Sequence, residues 1–219
     1  KLDRFYTKPE VAELCVNHLK KVLSSYSIEP SIWIEPSAGC GNFSDLVNCL
    51  SFDLEPQSSS IVKQDWFGYN EIHKNCIVFG NPPFGVRNTL SKKFITKSIN
   101  VGAEVIAFVL PNTYNKLTTQ KVFPSDWNLV SVIAIPDNSF VFEGKDYHVP
   151  CVFQIWADSK MREELPDLRE KPVPLNNELF EFTTKDKADI FVFGASPSKV
   201  IYPEEVSKNN RGYYLKAKV

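Results

Sequence analysis

The chain has 219 residues, 43% hydrophobic and 23% charged, enough to bury a substantial core and far from the composition of a disordered tail or a low-complexity chain. Its 25 Lys and Arg against 26 Asp and Glu leave a formal charge of −1, so nothing global draws it to nucleic acid, and a polyanion would have to meet a local patch. No apolar run is long enough to span a bilayer, so no membrane partner is expected.

In chain order, Lys1 stands where a Met would open a complete chain, and no charged-then-apolar signal segment follows, which fits a trimmed intracellular protein. From Pro9 to Leu23 the apolar residues Val11, Leu14, Cys15, Leu19 and Val22 recur at three-and-four spacing, an amphipathic helix with Thr7 as its expected N-cap. Ser31 to Glu35 reads as a short strand that stops at a glycine turn, Pro36 to Asn42, after which Phe43 to Cys49 reads as a helix. Apolar segments return at Cys49 to Leu54, Ile61 to Val62, Cys76 to Gly80 and Val105 to Leu110, with a helix from Lys92 to Asn100 between the last two. Such alternation predicts an α/β fold, a Rossmann-like, doubly wound, mostly parallel sheet. From Leu129 the texture changes. Two strands, NLVSVIAIP and CVFQIWAD, with no helical pattern between them, predict an antiparallel hairpin at one edge. Residues 161–177 are charged and proline-containing and read as a linker, and LFEFTT, ADIFVFG and GYYLKAK read as a small β-rich extension. The expected division is 1–159 for the main domain and 160–219 for linker and extension. The five cysteines are scattered without CxxC spacing, so neither a disulfide framework nor a zinc site is expected, and a reducing compartment, cytoplasmic or nuclear, fits them.

Chemistry-bearing residues fall at predicted strand ends. Gly39 and Gly41 have no Cβ, so the backbone after Glu35 can pass close to a ligand. The third glycine of a dinucleotide fingerprint is missing, and no Lys-Ser/Thr follows to make a phosphate loop. Asp53 ends the next strand, where a doubly wound sheet offers an acid to ribose hydroxyls. Asp65, Trp66 and Phe67 offer one acceptor for an exocyclic amine beside flat apolar surface for a purine. Either acid taken alone reads better as an exposed turn acid beside core aromatics, and it is the three strand-end features together that favour a ligand. Directly after Cys76 to Phe79 comes Asn81-Pro82-Pro83-Phe84. Two prolines neither continue a sheet nor start a helix, so the chain leaves the strand as a stiff hook. The Asn81 amide oxygen and the Pro82 carbonyl can accept from an aromatic amine whose ring Phe84 covers.

The order FYT (Phe5 to Thr7), EPSAGCGNF, FDLEP, DWF and NPPF resembles the S-adenosylmethionine-dependent amino-methyltransferases, specifically the N6-adenine methyltransferases of DNA, over roughly residues 1–155. The resemblance implies S-adenosylmethionine as cofactor. Phe5, Tyr6, Thr7, Glu35, Ala38, Gly39 and Gly41 would surround its methionine end, Asp53 would hold the ribose, and Asp65 with Trp66 would meet its adenine. Asn81, Pro82, Pro83 and Phe84 would hold the target base. Related enzymes carry an aromatic between the last two sheet strands that stacks on the base's other face. Phe142 is the first choice here and Phe140 the second, against a plain core role for both.

A base inside a duplex cannot reach such a pocket, so the target would be flipped out or already single-stranded. Arg87, Lys92, Lys93 and Lys97 follow the tetrad, and Lys116, Lys121 and Lys145 lie near other strand ends. They are the candidates for backbone contacts, although solvated helix faces explain such lysines equally well. The reaction needs no metal, and His18, His73 and His148 need no catalytic role. DNA is favoured over RNA. A guanine amine in ribosomal RNA, a protein glutamine, or a non-catalytic binding subunit are the alternatives. Residues 179–219 are too few for a usual target-recognition domain, which puts sequence specificity on a separate domain or subunit.

Overall fold

The computed structural model describes residues 5–142, 144–162, 164–169, 179–194 and 196–218. The chain forms two compact units, 1–171 and 172–219. The elements of the first unit are β1 (Tyr6–Thr7), α1 (Pro9–Ser25), β2 (Ile32–Glu35), β3 (Leu50–Asp53), β4 (Val62–Lys63), β5 (Cys76–Gly80), α2 (Thr89–Asn100), β6 (Ala103–Pro111), α3 (Leu117–Gln120), β7 (Trp127–Ala134), β8 (Phe140–Phe142), β9 (Lys145–Tyr147) and β10 (Cys151–Asp158). The linker prolines of 170–178 lie outside the described residues.

A seven-stranded sheet runs in the order β4-β3-β2-β5-β6-β10-β7. Its first five strands are parallel, and β10 pairs antiparallel with both β6 and β7. This is the mostly parallel, doubly wound sheet with an antiparallel hairpin at one edge that the sequence predicts. β6 shows why it is central: Val105, Ala107 and Val109 join the core on one face, and Ile106, Phe108 and Leu110 join the core on the other. α1 covers the first face with Val11, Ala12, Cys15, Val16, Leu19 and Leu23, and α2 brings Phe94 and Ile95 to the second. Each buried aliphatic or aromatic side chain adds roughly 1.5–3 kcal/mol to this two-sided packing.

The strand order reverses between β2 and β5, since β3 and β4 lie to one side and β6 to the other. In open α/β sheets a crevice opens at the carboxyl ends of the strands at such a point. Glu35 ends β2 there and Gly80 ends β5.

Two local expectations are corrected, and one element is new. Phe43 to Cys49 is not a helix: only Ser44–Leu46 makes a single 3-10 turn, because Val47 is already extended (φ −147°, ψ 149°) to enter β3. Thr7 is not the N-cap of α1. Lys8 holds that position without a side-chain cap, and Thr7 lies in β1, paired with Phe140 of β8. β1, β8 and β9 form a small three-stranded sheet that nothing in the sequence announces.

The second unit is an antiparallel sheet of β11 (Phe180–Thr183), β12 (Ile190–Phe193), β13 (Ser196–Ile201) and β14 (Gly212–Ala217), in the order β11-β14-β12-β13. Three of these strands coincide with the segments read from the sequence, and β13 is additional. Among the described residues no helix is long and apolar enough to cross a membrane.

Candidate functional site

A cavity of about 510 Å³ opens at the switch point. It is lined by the ends of β2 and β3, the glycine turn, the Asp65 turn, the Asn81 to Phe84 hook that follows β5, and the strand β1. Local backbone explains the turn. Gly39 has φ +55°, and a Cβ there would stand 2.8 Å from the Tyr6 ring, so only glycine allows both the turn and the close approach of β1. The Ala38 N–H donates to Phe52 O at 2.8 Å, and the Gly39 N–H donates to Asp53 Oδ2 at 2.8 Å, tying the turn to β3. Asp53 Oδ1 accepts from the Glu55 N–H at 2.8 Å. Both Asp53 oxygens therefore hold backbone already, and an ionised carboxylate keeps further acceptor sites for a ligand.

Glu35 is 1% exposed and lines the same cavity. Burial pushes its carboxyl up to about 8, Asp53 and Asp45 push the same way, and hydrogen bonds from Ser44 oppose the shift. Asp65 lines the wall next to β4 and caps the following turn, its Oδ1 accepting from the Phe67 N–H at 3.0 Å. Trp66 is 2% exposed and stacks on Tyr69 with ring centroids 5.6 Å apart, so it belongs mainly to the core. The flat surface offered to a ligand there is Phe67, 41% exposed and held edge-on by Phe94.

On the opposite wall the hook leaves Gly80 at φ +122°. Asn81 Nδ2 donates to Thr7 Oγ1 at 3.0 Å and to Phe5 O at 3.3 Å. Ser37 Oγ donates to the Asn81 backbone carbonyl at 3.1 Å. Among the described residues, three buried side-chain polar atoms have no partner: Glu35 Oε2, Trp66 Nε1 and Asn81 Oδ1. All three belong to residues that line this cavity. Orphaned buried polar atoms are rare in folded proteins, and their convergence marks a place for a polar guest.

The structure gathers Phe5, Tyr6, Thr7, Glu35, Ala38, Gly39, Asp53, Asp65, Trp66, Asn81, Pro82, Pro83 and Phe84 around one cavity. Gly41 does not line it. That glycine takes φ +97° beneath the turn, where a Cβ would meet Asp45 at 3.2 Å. Phe140, 1% exposed, is packed in the α1 core and reaches no ligand space. Phe142 is half-buried behind the rim, its ring 5.1 Å from Phe5, and does not line the cavity. The rim aromatic that does is Tyr147, 43% exposed and stacked on Phe5 at 4.7 Å. Sequence reasoning missed it because β9 is three exposed residues with no apolar pattern.

Arg87, Lys92, Lys93 and Lys145 also lie outside the lining. Arg87, Lys93 and Lys145 are exposed, and Lys92 is half-exposed on α2. The histidines bond elsewhere, His18 to Ser131 and His73 to Tyr69, and none lines the cavity. No group of three metal-ligating side chains occurs among the described residues.

No protein-family model matches the chain. Protein ENHANCED DOWNY MILDEW 2 of Arabidopsis thaliana is 24% identical over 205 residues, covering 80% of this chain, and the match spans only 15% of that protein's length. Among solved structures, a protein of Pyrococcus horikoshii described as a candidate RNA methyltransferase superposes with a TM-score of 0.52 at 14% identity, over 72% of this chain and 87% of its own. A candidate methylase of Haemophilus influenzae gives a TM-score of 0.45 at 13% identity, over 68% of this chain and 98% of its own. With the strand order β4-β3-β2-β5-β6-β10-β7, the Pyrococcus likeness shows that the seven-stranded sheet has the class I methyltransferase fold.

Proposed function

We propose that the first unit is an S-adenosylmethionine-dependent methyltransferase that methylates the N6 amine of adenine in nucleic acid, with DNA favoured over RNA. The observation that carries this reading is the free Asn81 Oδ1, a buried acceptor on a proline-stiffened hook, in one cavity with the glycine turn and the unpartnered Oε2 of Glu35. The ionisable side chains that line the pocket, Glu35, Asp53, Glu55 and Asp65, are all acidic, which suits a cationic cofactor, and a cation beside Glu35 would favour release of the proton that burial holds there.

When bound, the cofactor supplies an electrophilic methyl group on a sulfonium. The chain's own residues do the rest. Gly39 and Ala38 let the backbone approach, Glu35 faces the cationic methionine end, and Asp53 and Asp65 meet the ribose and adenine. Asn81 Oδ1 and the Pro82 carbonyl accept both N–H bonds of the target amine. This grip opposes delocalisation of the nitrogen lone pair into the ring and fixes its direction. Phe84 would cover one face of the base, and Tyr147, which lines the cavity where Phe140 and Phe142 do not, would cover the other. Contacts to the sugar-phosphate backbone would fall to Arg87, Lys92, Lys93 and Lys145 on the surface around the hook and β9. Sequence selection would come from a separate domain or subunit.

The test is incubation with methyl-labelled S-adenosylmethionine and, separately, duplex DNA, single-stranded DNA, RNA and a protein extract, with the product identified by mass spectrometry. N6-methyladenine is the expected product. Label on a guanine amine or a glutamine would reassign the acceptor. Cofactor binding without transfer to any of the four would make the unit a binding module.

A further inference from the structure

Whichever way the Asn81 amide points decides whether the hook offers an acceptor or a donor, and the orientation is fixed from outside the hook. A backbone carbonyl can only accept, so the Phe5 carbonyl, 3.3 Å away, must face Nδ2 and not Oδ1. The Thr7 hydroxyl, 3.0 Å away, engages Nδ2 as well. Both partners lie on or beside β1, and β1 is itself fastened on two further sides. Thr7 pairs with Phe140 in the small sheet, and its carbonyl accepts from Asn42 Nδ2 at 2.6 Å, next to the glycine turn. Thr7 is 5% exposed, so water does not compete for these bonds.

Resting on the function proposed above, we infer that Thr7 is a positioning residue, which with the Phe5 carbonyl occupies the donor side of Asn81 so that Oδ1 alone is presented to the acceptor amine. Turning the amide over would set Oδ1 against the Phe5 carbonyl, oxygen to oxygen, and leave Nδ2 facing an amine that can only donate. The same two bonds polarise the amide and make Oδ1 a stronger acceptor. The N-terminal strand, which the resemblance allots to the cofactor's methionine end, thus also controls the chemistry of the substrate end.

Two variants test this. Thr7→Val keeps the shape and removes the hydroxyl, and Thr7→Ser keeps the hydroxyl. With a single-stranded adenine-containing oligodeoxynucleotide and labelled S-adenosylmethionine, Thr7→Val should lower kcat about tenfold, the loss of one buried neutral hydrogen bond. KM for the oligonucleotide and affinity for S-adenosylmethionine should stay within about twofold, and Thr7→Ser should restore kcat. A fall in cofactor affinity with kcat unchanged would overturn the inference and leave Thr7 a cofactor contact. The second measurement needs no turnover: the Asn81 side-chain amide protons, assigned in 15N spectra by their absence in Asn81→Ala, should be protected from solvent exchange in the unaltered protein. In Thr7→Val one of them should shift upfield. Unprotected Asn81 protons in the unaltered protein would overturn the clamp outright. If no acceptor is ever methylated, the proposed function fails while the amide spectra still decide the clamp.

Discussion

The two walls of the cavity are built on opposite principles. On the side of β2 and β3, polar groups are engaged by the protein itself: Asp53 holds two backbone N–H groups, and Asp65 caps its own turn. On the side of β5, the hook keeps an acceptor in reserve, Asn81 Oδ1, while its donor is fully used. Glu35 stands at the seam, on β2 but leaning toward Gly80, where a Cβ would meet its Cγ at 3.1 Å. The first wall has already engaged the Asp53 and Asp65 carboxylates and leaves Trp66 Nε1 without a partner, whereas the second leaves Asn81 Oδ1 for a ligand to complete. A ligand held by the first needs little rearrangement, whereas the groups at the second are destabilising until something binds them.

The largest expected effect lies at the seam. In the native state Glu35 keeps its proton up to about pH 8, whereas unfolded it releases it near its ordinary value of 4.5. The folded protein therefore binds more protons between those values, and stability should fall as pH rises through that window. The gap between 4.5 and about 8 corresponds to roughly 5 kcal/mol at most. Glu35→Gln should flatten this slope, as urea unfolding at about pH 5 and about pH 8.5 would show. Equal slopes for both proteins would mean that the carboxyl is ionised in the fold.

At the unfinished wall, Asn81→Ala should reduce methyl transfer by about a hundredfold, the cost of a lost preorganised polar group. Calorimetric titration should find S-adenosylmethionine binding preserved. Loss of both together would erase the division between the walls. At the finished wall, Asp53→Ala should weaken S-adenosylmethionine about tenfold and also lower the denaturation midpoint, because two backbone N–H groups lose a charged acceptor. Unchanged affinity would remove Asp53 from the ribose. The smallest effect belongs to the rim: Tyr147→Ala should raise KM for an adenine oligonucleotide a few-fold, and Tyr147→Phe should not. An equal response from Phe142→Ala would move the stacking role back to β8.

The same contrast explains what the sequence made legible. The glycine turn, Asp53, Asp65 and the hook are each short local signals at the end of an apolar run, and a parallel sheet necessarily brings the ends of neighbouring strands together. The small sheet was hidden because its partners, Tyr6 and Val141, are far apart in the chain and β1 is only two residues long. Strand alternation puts Phe140 and Phe142 on one face, and nothing in the pattern separates a core position from a rim position there. β8 runs from the core to the rim, so one is sealed in and the other sits behind Tyr147. The helix expected at Phe43 to Cys49 failed for want of length: the chain must be extended again by Val47 to start β3.

The pairing of β2 with β5, Ile32 with Cys76, Trp33 with Ile77 and Ile34 with Val78, acts as a ruler for the whole pocket. Deleting one residue from either strand would turn every later side chain to the opposite face of the sheet and carry Glu35 or Asn81 out of reach of the other. Length variation is therefore least tolerable in these two short runs, a rule that any shuffled or shortened version of the chain must obey.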